Sequence, residues 1–191
     1  MANPIIPLIT PMLPESWLAV REIYSQGIAT GTATFETELP DWEKWNNSHR
    51  KECRLLALEA IAGDRANRFE LLPDLRIDLG ADKFCVLGWA ALSPLSSRAV
   101  YSGVAEVSVY VAAGARGSGV GKALLQALTN ESELHGIWTL QAGIFPENLA
   151  SIALHKFCGF REVGVRRRIG KLGTAWKDVL LLERRSSVVG V

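Results

Sequence analysis

The sequence predicts a single α+β domain in which helices flank a mixed, twisted sheet. Strand-like and helix-like segments mix along the chain, without internal repeats or low-complexity segments. The clearest strand is Val104 to Val111, whose odd positions are all apolar and therefore share one face. The glycine-rich run Arg116 to Gly121 follows this strand and leads into a helix with an apolar face. This strand–loop–helix unit is the centre of the predicted domain.

The composition is that of one ordinary globular domain. The chain has 191 residues, of which 48% are hydrophobic and 21% are charged. Its net charge of +1 gives no basic field for non-specific nucleic-acid binding, and no apolar run approaches the length that crosses a bilayer. The N-terminal residues lack the basic segment and long apolar core of a secretory signal. These observations predict a cytoplasmic protein that binds neither nucleic acid nor a membrane.

The three cysteines, Cys53, Cys85 and Cys158, lie far apart and have no metal-ligand spacing. An odd number of cysteines without an export signal is typical of buried thiols in a reducing compartment. The sequence therefore predicts a protein without a metal site.

The remaining segments are assigned from their periodicity and punctuation. Gly159 suits a left-handed residue that ends the last helix. The predicted helices are Trp17 to Ile28, Asp41 to Arg50 and Asn148 to Cys158, and the predicted strands are Ile5 to Thr10, Cys53 to Ala60, Phe84 to Leu92, Trp138 to Gly143, Phe160 to Ile169 and Trp176 to Glu183.

One segment, 61–83, is long for a connection between two strands, since hairpin loops usually have about 2–5 residues. Apolar strand patterns resume directly after it, so it is interpreted as an insertion that tolerates shortening. The domain is predicted to span 1–185, with a frayed tail from Arg184 and residues 186–191 outside the domain.

The glycine-rich run predicts a phosphate site. Glycines at 117, 119 and 121 allow backbone amides to approach a ligand closely, and the following helix N-terminus favours an anion such as a pyrophosphate. A P-loop is excluded because Lys122 is followed by alanine, and a dinucleotide motif lacks its third glycine at 122. The pattern that fits is Arg/Gln-x-x-Gly-x-Gly/Ala, although a glycine-rich turn without a ligand stays an alternative.

Four further segments accompany this motif. They are Thr32 to Glu36 followed by Trp42 and Trp45, Gly88 to Leu92, Glu106 to Val111, and Asn148 to Phe160. With them the chain resembles the GNAT acetyltransferases, and within these the branch that acetylates phosphinothricin, methionine sulfoximine, methionine sulfone and arsinothricin. The resemblance runs from about Ile5 to Arg185, interrupted at 61–83.

The resemblance implies a GNAT fold, acetyl-CoA as co-substrate, and a set of binding residues. Backbone groups of the strand would hold the pantetheine arm, the glycine-rich run would hold the pyrophosphate, and Asn148 and Ser151 would bind where the arm turns toward the thioester. The residues so implied are Val109, Tyr110, Val111, Arg116, Gly117, Ser118, Gly119, Val120, Gly121, Lys122, Asn148 and Ser151.

Glu106 is the predicted catalytic base. It lies on the face opposite the valine row, and acetyl transfer requires that an ammonium group lose a proton. The alternative is a structural Glu paired with an Arg. His155 stands where many GNAT enzymes have a Tyr that protonates the leaving thiolate, so the resemblance leaves that role open.

The resemblance places substrate binding at Arg98, Tyr101 and Phe35. A guanidinium suits an anionic head group, but a solvated Arg98 and a Phe35 in the core are open alternatives. The family's His before the last strand's Trp is absent from Leu172 to Ala175. The cluster Arg166 to Arg168 is interpreted as a solvated strand end, or else as a contact to the 3′-phosphate of the cofactor. His49 and His135 are interpreted as surface helix residues.

The predicted function is transfer of an acetyl group from acetyl-CoA directly to the α-amino group of a small amino-acid analogue. A GNAT enzyme acting on a protein N-terminus or a polyamine is one alternative, and a non-catalytic acyl-CoA sensor is the other. The resemblance also allows for a homodimer.

Overall fold

The computed structural model describes residues 5–61 and 73–191. Each predicted helix is present within about two residues of its expected bounds. Among the described helices, none is both long and apolar enough to cross a membrane. The helices are α1 (Trp17–Ile28), α2 (Trp42–Ser48), α3 (Val120–Leu134) and α4 (Leu149–Phe157).

The described strands form one mixed sheet, which confirms the predicted α+β architecture. Their order is β1-β2-β4-β5-β6-β8-β7, with β3 paired to β4. Among these pairings only β5 with β6 is parallel. The strands are β1 (Leu8–Pro11), β2 (Arg54–Ala60), β3 (Arg76–Leu79), β4 (Asp82–Pro94), β5 (Val104–Val111), β6 (Thr139–Ile144), β7 (Arg161–Leu172) and β8 (Ala175–Arg185).

Helices cover both faces of the sheet. Trp89 and Tyr110 are cross-strand partners on one face, with stacked rings 4.7 Å apart. Tyr24 of α1 and Trp45 of α2 contact the ring of Trp89 edge-on, so α1 and α2 lie on this face. On the opposite face, a Cβ at Gly88 would lie 3.0 Å from the side chain of Leu124, so the absent side chain leaves room for α3.

The strand β5 has two different edges. It pairs with β4 from Ala105 to Val111, but with β6 only from Val104 to Glu106. Beyond Glu106 the two parallel strands diverge, and the inner edge of β5 has no strand partner among the described residues. Backbone amides and carbonyls at such an edge are strong hydrogen-bonding groups that remain available to a ligand. The sheet is therefore split at its centre.

The end of the predicted insertion is built into the core. Residues 62–72 of the 61–83 segment lie outside the described residues. The rest forms a short 3-10 turn at Pro73–Leu75, the strand β3, and a hairpin into β4 through Gly80 (φ +65°). Leu75 is fully buried, and its turn contacts α1. The strand β4 consequently begins before the predicted Phe84.

This packing predicts that replacing the whole of 61–83 lowers the stability of the fold. Loop length alone predicted that the segment tolerates shortening. Leu75→Ala is expected to lower the free energy of unfolding by about 2–5 kcal/mol, because it removes buried apolar atoms and leaves a cavity. Chemical denaturation measures the change, with Ile77→Ala on the half-buried β3 as the milder control. Equal, small effects of both changes would contradict a core role for Leu75.

The C-terminal tail is not frayed, which corrects the prediction. The strand β8 continues to Arg185, and Ser186 is buried. The Ser186 hydroxyl donates to Glu133 of α3 at 2.9 Å. The Arg185 guanidinium donates to the carbonyl of Trp138 at 2.8 Å. These bonds hold the end of the chain against α3 and the start of β6.

Candidate active site

A cleft of about 1050 Å³ opens where β5 and β6 diverge. This volume slightly exceeds the usual range for one small ligand, about 300–1,000 Å³, and suits a site for two molecules. The fold brings most of the predicted residues together here. Those that line the cleft are Phe35, Glu106, Val109, Tyr110, Val111, Arg116, Gly117, Gly119, Gly121, Lys122, Asn148 and Ser151.

Four predicted site residues do not line the cleft. Ser118 and Val120 are buried beneath the glycine-rich loop, where the Ser118 hydroxyl donates to the Ala115 carbonyl at 2.6 Å. Arg98 and Tyr101 lie beyond the end of β4, and the Arg98 guanidinium is 5.6 Å from the Tyr101 ring centroid. Neither residue of this pair lines the cleft, so their predicted contact with the substrate is not seen there.

The glycine-rich loop has the geometry that a phosphate cradle requires. Gly117 and Gly119 have positive φ angles of 75° and 96°, which residues other than glycine rarely adopt. A Cβ at Gly117 would have nothing within 4 Å, so the backbone faces open space. The helix α3 begins directly afterwards, at Val120, and its first N–H groups have no intrahelical partners. Arg116 braces the loop by donating to the Val111 carbonyl at 3.2 Å.

These features fit acetyl-CoA. The α3 N-terminus and the two left-handed glycines suit its pyrophosphate. The unpaired inner edge of β5 suits the amide groups of its pantetheine arm, which can extend the sheet as a strand would. The Lys122 ammonium group lies 4.2 Å from the centroid of the Phe157 ring.

The loop between α1 and α2 crosses the cleft and is tied to its far wall. The Asn148 side chain accepts from the Ser151 amide at 3.1 Å, which caps α4, and donates to the Thr32 carbonyl at 3.3 Å. Phe35 packs edge-on against Phe145, with centroids 4.7 Å apart. The two contacts join the halves of the split sheet over the ligand path.

Asn148→Asp separates the two roles of this side chain. The carboxylate still caps α4, but it cannot donate to the Thr32 carbonyl. We expect that this variant keeps the thermal stability of the wild type. Its KM for acetyl-CoA, the ligand assigned to Asn148, should be several-fold higher. Asn148→Ala also removes the cap and should lower stability by about 1 kcal/mol. Thermal unfolding and initial-rate kinetics measure both effects, and a wild-type KM in the Asp variant would show that the loop contact is dispensable.

Glu106 faces the cleft at the point where the strands separate. Water reaches its carboxylate, but the surrounding walls partly desolvate it, and this burial raises its pKa. The positive charge of Arg166 acts in the opposite direction. Glu106 forms no ion pair within 4.0 Å with any residue in the described ranges. The structural alternative of a salt-bridged Glu106 is thus absent, and its oxygens are available to a ligand.

His155 is buried and is not arranged as a proton donor. Its Nδ1 lies 2.8 Å from the Ser151 carbonyl, which can only accept, so Nδ1 carries the proton of the neutral ring. Burial lowers the pKa of His155, which favours the neutral ring. Nε2 then has no hydrogen, and it has no partner in the described part of the chain. His155 therefore cannot protonate a thiolate from this state.

Three cleft residues were missed or misplaced by the sequence. His49, predicted as a surface helix residue, is half-buried, because its ring stacks on Trp45 with centroids 4.2 Å apart and lines the cleft. Burial lowers its pKa. Gly143 and Arg166 also line the cleft. Gly143 and Arg166 lie beside Glu106 only because of the strand register, and the local sequence does not predict that register.

A mixed sheet split beside a glycine-rich helix N-terminus is the arrangement of N-acetyltransferases that take the acetyl group from a CoA thioester. The chain matches the acetyltransferase (GNAT) family over residues 32–160. This match covers more than half of the chain, which therefore belongs to the GNAT family, whose co-substrate is acetyl-CoA.

The relatives agree with this assignment. A phosphinothricin N-acetyltransferase of Streptomyces coelicolor is 39% identical over 111 residues, 58% of this chain and 64% of that protein, so the chain spans less than two thirds of its length. One of Alcaligenes faecalis is 31% identical over 171 residues, 87% of this chain and 76% of that protein. A GNAT superfamily phosphinothricin acetyltransferase from Sinorhizobium meliloti, solved with acetyl-CoA, has the same fold, with a TM-score of 0.75 at 24% identity over 97% of this chain and 91% of that one.

Proposed function

We propose that the protein transfers the acetyl group of acetyl-CoA directly to the α-amino group of a small amino-acid analogue, of the phosphinothricin, methionine sulfoximine, methionine sulfone or arsinothricin type. The observation that carries the proposal is the unpaired carboxylate of Glu106 in the cleft, at the end of the open β5 edge. The named relatives act on phosphinothricin, which supports an amino-acid analogue as acceptor.

In this proposal the chain provides binding, alignment and proton transfer. The loop at 117–121 and the α3 N-terminus hold the pyrophosphate, and the β5 edge directs the thioester toward Glu106. Glu106 accepts a proton from the substrate ammonium, directly or through water, and its raised pKa makes it a stronger base. The amine nitrogen then bonds to the acetyl carbon as the carbon–sulfur bond breaks, and the nitrogen loses its second proton, which neutralises the departing thiolate by way of solvent. The leaving thiol has a pKa near that of cysteine, about 8.5, so it departs with little help from an acid.

The charges of the cleft favour an anionic or zwitterionic acceptor over a polyamine. Its acidic lining residues are Glu36 and Glu106, while its basic ones are Arg116, Lys122 and Arg166. A polycation would meet three basic groups and only two acidic ones in the cleft. A peptide N-terminus stays the second candidate, because it also presents a single amine to Glu106.

The experiment is a thiol-release assay with acetyl-CoA and a panel of acceptors. Phosphinothricin, methionine sulfone, methionine sulfoximine and arsinothricin should be acetylated with a higher kcat/KM than methionine, leucine or spermidine. A site that hydrogen-bonds a polar head can reject the analogue without it by about 10⁴–10⁵-fold. Thiol release that does not depend on any acceptor measures hydrolysis and is subtracted. Preference for spermidine or a peptide would contradict the proposed acceptor class, and acetyl-CoA binding without turnover on any amine would indicate a sensor.

A further inference from the structure

Arg166 lies on the same face of the sheet as Glu106. Paired residues of neighbouring strands point to one side, and the side alternates along each strand. Arg166 pairs with Val179, Gly143 with Leu181 two positions further along β8, and Glu106 with Gln141 two positions before Gly143. Register alone thus places Arg166 and Glu106 on one face, although 59 residues separate them in the sequence.

Gly143 has no side chain to fill the space beside Glu106. A Cβ at Gly143 would lie 3.8 Å from the Glu106 carboxylate and 3.2 Å from the Val179 side chain, so any larger residue would intrude there. Both Arg166 and Glu106 line the cleft. Arg166 forms no salt bridge within 4.0 Å to an acidic group of the described residues. Burial raises the pKa of Glu106, and the charge of Arg166 is close enough to offset part of that rise.

Arg166 is at the wrong end of the cleft for the phosphates of the co-substrate. Glu106 precedes Val111, the last residue of β5 before the glycine-rich loop, by five positions. At about 3.3 Å per residue, these positions span about 17 Å of extended strand. The guanidinium beside Glu106 therefore faces the acceptor rather than the pyrophosphate, and the alternative of a 3′-phosphate contact has no support for this residue.

We propose that Arg166 binds the α-carboxylate of the acceptor while Glu106 receives its α-ammonium group. The inference rests on the proposed function and specifies how the same site selects its substrate. An α-amino acid carries opposite charges separated by one carbon, which matches a carboxylate and a guanidinium facing one open space. The planar guanidinium can hold a carboxylate through two parallel hydrogen bonds. Arg166 is thus a specificity-determining residue that orients the amine for attack.

The experiment crosses protein variants with acceptors that differ only in this group. Methionine sulfone is compared with its α-carboxamide and with 3-(methylsulfonyl)propylamine, which has no carboxylate. Wild-type protein should prefer methionine sulfone in kcat/KM by about 10–100-fold, the range expected for hydrogen bonds to a charged group. Arg166→Leu should remove this preference by lowering only the value for methionine sulfone. Arg166→Lys should restore part of it, since it keeps the charge without the two-pronged geometry.

Two comparisons make the test specific. Arg167→Leu removes a neighbouring positive charge that does not line the cleft, and it should keep the wild-type preference. Arg98→Ala tests the arginine that the family resemblance implied, and it should also keep the carboxylate preference. Acetyl-CoA affinity, measured by calorimetry, should not change in Arg166→Leu.

Several outcomes would overturn the inference. An Arg166→Leu protein that still prefers methionine sulfone does not use this guanidinium, and loss of the preference in Arg98→Ala would assign it to the other arginine. Weaker acetyl-CoA binding in Arg166→Leu would indicate a contact to the co-substrate. If the wild type acetylates all three acceptors equally, the inference fails but the proposed acetyltransferase does not. If it binds acetyl-CoA and acetylates none of them, the proposed function fails first.

Discussion

Glu106→Gln is expected to lower kcat by about 10²–10⁴-fold, the usual contribution of a general base, while the affinity for acetyl-CoA stays unchanged. Gln keeps the size and polarity of the side chain but cannot accept the ammonium proton. Glu106 lies in the open space of the cleft and forms no ion pair with the described residues. Its replacement therefore does not leave a buried cation without its counter-charge. Steady-state kinetics and calorimetry measure the two quantities, and a wild-type rate at neutral pH would exclude Glu106 as the base.

The pH dependence gives a second readout of the same residue. The ionised form of Glu106 is the base, so wild-type kcat/KM should fall as the pH drops through the pKa of this residue. Burial raises that pKa above the usual range of Glu, so this acid limb lies at a higher pH than for a solvated carboxylate. In Glu106→Gln the limb set by this carboxyl should disappear, and the rate should instead follow deprotonation of the substrate ammonium. The deficit should shrink at high pH, where the amine loses its proton without help.

Thermal stability distinguishes a lost base from a damaged fold. The pKa of Glu106 is higher in the folded than in the unfolded state, so the ionised carboxylate opposes folding once the pH exceeds its folded pKa. Glu106→Gln removes that penalty, and its Tm near neutral pH should equal or exceed the wild-type value. A lower Tm would indicate that Glu106 stabilises the fold and that the kinetic loss is indirect.

Gly121→Val is expected to weaken acetyl-CoA binding by about 100-fold or more. The residue lies in the first turn of α3 and lines the cleft. A β-branched side chain there displaces the pyrophosphate from the helix N–H groups, and each charge-assisted hydrogen bond contributes about 1.5–3 kcal/mol. Its Cβ would also lie 3.1 Å from Leu154 and 3.5 Å from Val111. Overpacking of this kind costs about 1–3 kcal/mol, so stability falls as well.

Gly121→Ala is the matched control, because the sequence motif allows alanine at this position. It adds one carbon against Leu154, and the better helix propensity of alanine offsets part of the tight contact. Acetyl-CoA affinity in this variant should stay within about tenfold of the wild type. Calorimetry well below each Tm separates binding from unfolding, and unchanged affinity in the Val variant would remove the loop from the ligand site.

Local periodicity predicted the parts of the fold that local patterns specify. The alternation in Val104–Val111 identified β5 at its observed bounds, and the glycines before α3 identified the loop that leads into this helix. The structure of these segments can be predicted from local sequence, because the side-chain period and the glycine conformations depend only on neighbouring residues. The candidate base followed from the same alternation, since it separates Glu106 from the valine row.

Features that depend on pairing between distant segments were not predictable in this way. The sequence indicates that Arg166 belongs to a solvated cluster, whereas the β7–β8 register places it on the same face as Glu106. His49 enters the cleft because the buried Arg54 donates to its carbonyl and to that of Asn46, at 2.8 Å each, and so fixes the end of α2. Leu75 looks like part of a loop, yet it fills the core beneath α1. In each case a contact across the fold decides the role.

The open inner edge of β5 also affects how the protein should behave without ligand. A row of unpaired amides and carbonyls is a template onto which a strand from another molecule can add, so such edges promote self-association. In the proposed complex acetyl-CoA lies along this edge, and it would stabilise the folded state by an amount that grows with the logarithm of its concentration over Kd. Protein kept without it should aggregate sooner on storage. The amide hydrogens of Val107, Val109 and Val111, which point away from β4, should exchange with solvent faster than those of β4. Addition of acetyl-CoA should slow both processes together, because one bound molecule completes the interrupted sheet.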